Sequence, residues 1–407
     1  MRENKKNILE QLNSDVVIPE KVRVKADMAF ESIRKEAELT KNSQTERIPR
    51  QENSKTTVGG RKKMTRKRIW ILSAAAILAV GCVSVGAAIY MNWSKSLSEG
   101  LRATEEQKKT LEDSGMVNMV GQTVTDQGIS VTLEQTMVDN YFAYLVFKVN
   151  GYTVPDRTQP DFEHFQVLVD GKDGWDNGED EFGISAAFYS GVVTGPDLKP
   201  QKADGSPLDT DENGDLIYEY YTQEDGSMEF WIILDGHGNK GGFLNKPVHV
   251  ELENLGTVDK AAYIPGLEGK WAFDCILNGS EDMRVIDLEA PIGDTSMTVT
   301  HVELSPISAY IEYRVPDSQE KEKLQDTYPG LKLKDGTCYP YIWDEPGIKG
   351  RLSSDSDTYV TNFSFDRIID VDQVEGLMFL KKNSDGPIEN MTDDDYYLAS
   401  LDGDSEE

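Results

Sequence analysis

The chain has 407 residues, 72 Asp/Glu against 42 Lys/Arg, a formal net charge of −30 and only three cysteines. Nucleic acid is excluded as an expected partner, because such binding rests on neutralising phosphates with Lys/Arg. A disulfide scaffold is excluded by the cysteine count.

The charge is unevenly distributed. Residues 1–68 hold 18 Lys/Arg and 10 Asp/Glu, a net of +8, whereas residues 92–407 hold 24 and 62, a net of −38. The first segment begins with a short amphipathic stretch in which Ile8, Leu9 and Leu12 fall at helical spacing. After Pro19, the positions Val22, Ala26, Ala29, Phe30, Ile33 and Ala37 recur at i, i+3/i+4 and predict a second helix. Two short helices bury too little apolar surface to fold alone. Val22, Ala26, Phe30 and Ile33 are therefore the expected partner-binding face. Residues 1–39 read as a helical tail, and residues 40–68 as a polar, then basic, flexible linker.

Residues 69–91 carry no charge and are directly preceded by Arg61, Lys62, Lys63, Arg66, Lys67 and Arg68. A helix of that length spans roughly 34 Å, enough to cross a hydrocarbon core of about 30 Å. The basic residues on one side predict an N-terminus in the cytoplasm, a C-terminus outside and contact with membrane lipid. Met64 to Cys82 also resembles a lipoprotein signal peptide. However, Ala79 stands three before the cysteine, 63 residues precede Met64, and residues 83–91 stay apolar. A spanning helix is the stronger expectation.

Beyond the span, Leu97, Leu101 and Leu111 among charged residues predict a helical stalk over 92–115. From residue 116 the pattern becomes short alternating runs between Gly, Asn, Asp and Pro. Strands are expected at 128–134, 141–149, 165–169, 184–193, 216–222, 228–234 and 248–252. The hairpin at 128–149 has an echo at 296–315, where Val131 matches Val299 at an offset of 168 and Ala143 matches Ala309 at 166. The expected fold is mainly β, with two tandem immunoglobulin-like antiparallel β-sandwich domains outside the membrane. Their predicted extents are 116–260 and 261–400, with 401–407 an acidic tail and the Gly/Pro/Tyr-rich 261–269 read as the linker.

No constellation for catalysis is present. His164, His237, His249 and His301 lie far apart with no metal-ligand spacing, and no nucleophile elbow or phosphate-cradling glycine loop occurs. Neither enzyme activity nor a cofactor is expected. Asp209, Asp211, Asn213 and Asp215 begin like a calcium loop, but Tyr220 stands where a bidentate Glu is needed, so a solvated turn is the stronger reading. A Cys275–Cys338 bridge is left open.

Several of these features resemble a known family. They are Ile18-Pro-Glu-Lys21, Phe30-Glu-Ser-Ile33, the single span, the Leu-rich stalk, and Gly128-Ile-Ser-Val-Thr-Leu-Glu134 leading to Tyr144-Leu-Val-Phe147. Together they are similar to the Gram-positive membrane family catalogued as domain of unknown function 4179. Trp271-Ala-Phe273, Leu304-Ser-Pro306 and Gly376-Leu-Met-Phe379 resemble the extracellular domain that often follows it. The resemblance implies a membrane-bound anti-sigma factor that tethers a cytoplasmic sigma factor and senses an unknown extracellular ligand. The tail contains neither His nor Cys, so the zinc-binding anti-sigma motif is absent. The alternative expectation is a membrane-anchored surface binding or adhesion module with no regulatory role.

Overall fold

Alternation of apolar and polar residues, interrupted by turn residues, builds the strands of this chain in sequence order. A computed structural model describes residues 93–401, apart from 177–178, 196–198, 260–261, 317–328, 352–356 and 382–390. Two helices come first, α1 (Lys95–Gly100) and α2 (Glu105–Asp113). Ser94 caps α1, and Thr104 with Gln107 forms a reciprocal capping box at α2. The first half then comprises β1 (Val117–Asp126), β2 (Ile129–Val138), β3 (Phe142–Asn150), β4 (Gln159–Val169), β5 (Trp175–Asp176), β6 (Glu179–Asp180), β7 (Gly183–Phe188), β8 (Val192–Thr194), β9 (Pro200–Lys202), β10 (Met228–Asp235), β11 (Pro247–Asp259) and β12 (Ala262–Ile276). The second half comprises β13 (Arg284–Pro291), β14 (Thr298–Leu304), β15 (Ser308–Arg314), β16 (Gly330–Leu333), β17 (Cys338–Tyr339), β18 (Trp343–Arg351), β19 (Thr358–Phe365), β20 (Val374–Leu380) and β21 (Tyr396–Ser400).

The two halves repeat one strand order. In the first, a sheet ordered β1-β2-β3-β10-β7 shares a core with a sheet ordered β12-β11-β4. In the second, β13-β14-β15-β19-β18 shares a core with β17-β16-β20-β21. Position by position these are the same sandwich-like arrangement, with β17 an added edge ribbon. The repeat detected at 128–149 and 296–315 is thus the β2–β3 and β14–β15 hairpins. The immunoglobulin-like arrangement requires correction. In an immunoglobulin sandwich the second and third strands lie in different sheets, whereas here β1, β2 and β3 form a continuous antiparallel meander.

The boundary between halves also differs from expectation. Residues 262–276 form β12, paired with β11, and Trp271 is fully buried in the first core against Phe162 at 5.8 Å. Its indole donates to the Ile129 carbonyl at 3.2 Å. The Gly/Pro content that reads as a linker sits in an edge strand, where such residues are tolerated. The crossing occurs instead after Ile276. There Ser280 N–H donates to Val138 O at 3.1 Å, Asn140 Nδ2 donates to Glu281 O at 3.3 Å, and a Cβ on Gly279 would collide with the Val138 carbonyl. Only glycine passes there. The expected strand at 216–222 does not form, since Leu216 pairs singly with Thr210 and Tyr220 N–H donates to Ser190 O.

β3 and β10 are buried on both faces. Leu145, Phe147, Phe230 and Ile232 point into the first core. Tyr144, Val146, Trp231 and Ile233 point out, into a third apolar cluster with Leu97, Leu101 and Leu111 of the helical stalk and Ile307, Tyr310, Val360 and Ile368 of the second half. Among the described residues no helix is long and apolar enough to cross a membrane. The expected span at 69–91, its basic flank and the tail positions Val22, Ala26, Phe30 and Ile33 lie outside the described residues. Replacing Trp271 with Ala is expected to cost about 3–5 kcal/mol. Chemical denaturation followed by the remaining tryptophans would measure it.

Candidate functional site: the junction between the halves

The third apolar cluster is where the two repeats and the helical stalk meet, and equivalent parts of each repeat supply the contact. A bulge between Leu133 and Gln135 in β2 switches the strand's parity, so that Gln135 and Met137 join the outward face. A bulge between Val299 and His301 likewise leaves His301 and Glu303 on the outward face of β14.

At the tips of the two hairpins the turns are equivalent residue for residue. In β2–β3, Asp139 N–H donates to Phe142 O, while Asp139 Oδ1 accepts from the N–H groups of Tyr141 at 2.8 Å and Phe142 at 2.7 Å. In β14–β15, Ser305 N–H donates to Ser308 O, while Ser305 Oγ accepts from the N–H groups of Ile307 at 3.1 Å and Ser308 at 2.9 Å. Asx and hydroxyl turns of this kind close a short hairpin without glycine. The turns then meet, as Asp139 Oδ2 accepts from the Ser305 and Ser308 hydroxyls, each at 2.5 Å. Asp139, Ser305 and Ser308 are completely buried. Burial pushes the Asp139 carboxyl above its ordinary range, and the four donated hydrogen bonds only partly offset that.

Beside this contact the Tyr141 and Tyr310 rings stack with centroids 4.9 Å apart and planes at 5°. Glu303 is the second hub. It accepts from the Tyr141 hydroxyl at 3.0 Å and pairs with Lys240 at 2.8 Å, both from the first half. His301 Nε2 lies 3.1 Å from it, and the other ring nitrogen lies 2.6 Å from Asp287. Burial alone would raise Glu303, but Lys240, His301 and Tyr141 together hold it below the usual carboxylate range. Burial alone would lower His301, but the carboxylates of Asp287 and Glu303 raise it.

The helical stalk is tied to both halves. On the first half, Ser94 N–H donates to Gln135 Oε1 at 2.5 Å, and the N–H groups of Lys95 and Ser96 donate to the two oxygens of buried Glu229 at 2.8 and 2.6 Å. These are orphan donors of a helix's first turn, satisfied from a strand. On the second half, Ile368 N–H donates to Leu101 O at 2.9 Å, Gln107 Nε2 donates to Ile368 O at 3.0 Å, and Arg102 pairs with Asp366 at 3.0 Å.

The remaining sequence candidates do not assemble a site. Asp209 is held by Lys202 at 2.8 Å and by the Tyr220 hydroxyl at 3.0 Å, and Asp211 by Arg157. Asp211 Oδ1 also closes a tight turn by accepting from the N–H groups of Asn213 and Asp215. Among the described residues no group of three His, Cys, Asp or Glu is arranged to hold a metal. Cys275 and Cys338 are both free thiols, and burial pushes Cys275 up to about 12. Among the aromatic residues at 218–231, Phe230 is in the first core and Trp231 in the junction.

Fold and junction together define a mainly β protein with two repeated two-sheet halves closed over a helical stalk. Residues 61–151 match the family described as Domain of unknown function (DUF4179), the one its residues resemble. The matched segment contains the basic flank, the apolar run, the stalk and the hairpin that carries Asp139. No curated protein matches the chain. A solved structure described as the crystal structure of the conserved domain protein from Bacillus anthracis is similar at 12% identity, over 65% of this chain and 79% of that one, with a TM-score of 0.37. That likeness is too distant to carry an argument.

Two outcomes follow from the junction. Asp139→Ala strands two backbone and two hydroxyl donors in a buried place, at an expected cost of about 2–4 kcal/mol. Amide hydrogen exchange should accelerate at Tyr141, Phe142, Ile307 and Ser308 while Val131 in the first core stays protected. For His301, whose folded pKa is raised, the stabilising contribution is complete below the ordinary histidine range and is lost as pH rises through the folded value. Glu303, whose folded pKa is depressed, contributes above the ordinary carboxylate range and loses that contribution in acid. The difference in melting temperature between wild type and His301→Gln should therefore shrink from pH 6 to pH 9.

Proposed function

We propose that the chain is a single-pass membrane regulator of the anti-sigma type. In this reading Val22, Ala26, Phe30 and Ile33 dock on a cytoplasmic sigma factor, and residues 69–91 cross the membrane behind their basic flank. The outer halves register an extracellular ligand or stress. The observation that carries the reading is the double attachment of the helical stalk. Gln135 and Glu229 hold it from one half, and Asp366 and Ile368 from the other. Any event that repacks one half on the other must therefore act on residues immediately next to the apolar run. The family match supports the same segment, since it extends from the basic flank through the helical stalk and Gln135.

A fragment of residues 1–60 used as bait should recover a sigma factor. Phe30→Asp and Ile33→Asp should each weaken that capture by about thirtyfold or more, the effect of losing a hot-spot residue worth about 2 kcal/mol. Recovery of no sigma factor would favour a surface binding module instead.

A further inference from the structure

The folded outer body begins almost where the apolar run ends. Only Asn92 and Trp93 separate Met91 from Ser94, and three Cα–Cα steps reach at most about 11 Å. At Ser94 the backbone is already fastened to Gln135, and the next two N–H groups are fastened to Glu229. No spacer intervenes. The surface around this point cannot stand away from whatever encloses residues 69–91.

The surface there also carries cations and an aromatic ring. Glu99 pairs with Lys95 at 3.6 Å, whereas Glu112 accepts from the Trp93 indole at 2.7 Å and buried Glu229 from backbone donors and Gln223, neutral groups that leave those charges in place. Next to Glu229 in the ladder, Lys148 pairs with Asp225 at 2.8 Å. The rim therefore offers two lysines, each beside a carboxylate, and an indole.

We propose that this rim rests on the headgroup layer of a phospholipid bilayer, with Trp93 as the interfacial anchor. The inference depends on the reading of residues 69–91 as a span. Tryptophan favours the headgroup level because its ring is amphipathic, and Trp93 is half-buried, one part of it packed against the junction cluster and its indole N–H bonded to Glu112. The half-exposed Lys95 stem lets its ammonium reach lipid phosphates from the same turn. Seated this way, the outer body has a fixed orientation on the membrane, and repacking of its halves is delivered at the lipid surface.

The full chain can be tested in phosphatidylcholine nanodiscs. Lys95→Cys carries a nitroxide, with Cys82, Cys275 and Cys338 replaced by Ser. Collision of the label with a water-soluble nickel chelate is then compared with that in a variant holding a Gly/Ser spacer of about ten residues between Asn92 and Trp93, which adds roughly 17 Å of reach. Several-fold lower nickel collision without the spacer supports docking, and equal collision in the two overturns it. A chain that washes out of the nanodiscs overturns the span itself. A separate readout is quenching of tryptophan by brominated acyl chains, which Trp93→Phe should reduce. Unchanged quenching would overturn Trp93 as the anchor.

Discussion

A single buried carboxylate bears the registration of one half on the other. Asp139 closes its own hairpin with one oxygen and accepts from the equivalent hairpin with the other. Taking that charge out of water is costly, so it persists only because four donors converge on it. An apolar contact between the same faces would slide, because dispersion and burial have little directionality. The hydrogen bonds specify which residue meets which. The neighbouring stack of Tyr141 on Tyr310 and the ion pair of Lys240 with Glu303 then follow from the same registration.

Duplication explains why the two halves can meet this way. Each repeat carries a five-stranded sheet whose second strand bulges to adjust its outward face; that face is apolar along β3, whereas β15 gives it only Tyr310. Asp139 in one repeat corresponds to Ser305 in the other, an acceptor facing a donor. That divergence turns two copies of one turn into complementary partners. A pair of identical aspartates at this spot would repel instead.

Much of the fold was legible in the residues. The hairpins at 128–149 and 296–315, the helical stalk and its three buried leucines, and the turns at Asp139 and Ser305 could all be read from spacing and turn chemistry. The unbroken apolar stretch of β3, with Tyr144 and Val146 alternating with Leu145 and Phe147, reads only as one arm of a hairpin, although the strand is covered on both faces. What covered it was not legible, because a partner face far along the chain leaves no local pattern. The bulge that turns Gln135 outward has no sequence signature. Glycine and proline in β12 misled the boundary because an edge strand tolerates the residues that mark a linker. The immunoglobulin order was suggested by a repeated hairpin, which does not determine which strands share a sheet.

The capping of α1 by a distant strand has a consequence for assembly. Ser96 and Glu229 are separated by 133 positions, and Leu101 meets Ile368 across an even longer loop. During synthesis the amino-terminal side emerges first, yet the N–H groups of Lys95 and Ser96 must wait for Glu229, 134 and 133 positions later. A six-residue helix is too short to persist by itself. The segment nearest the apolar run is therefore among the last to become ordered, and a truncated or stalled product would leave it loose.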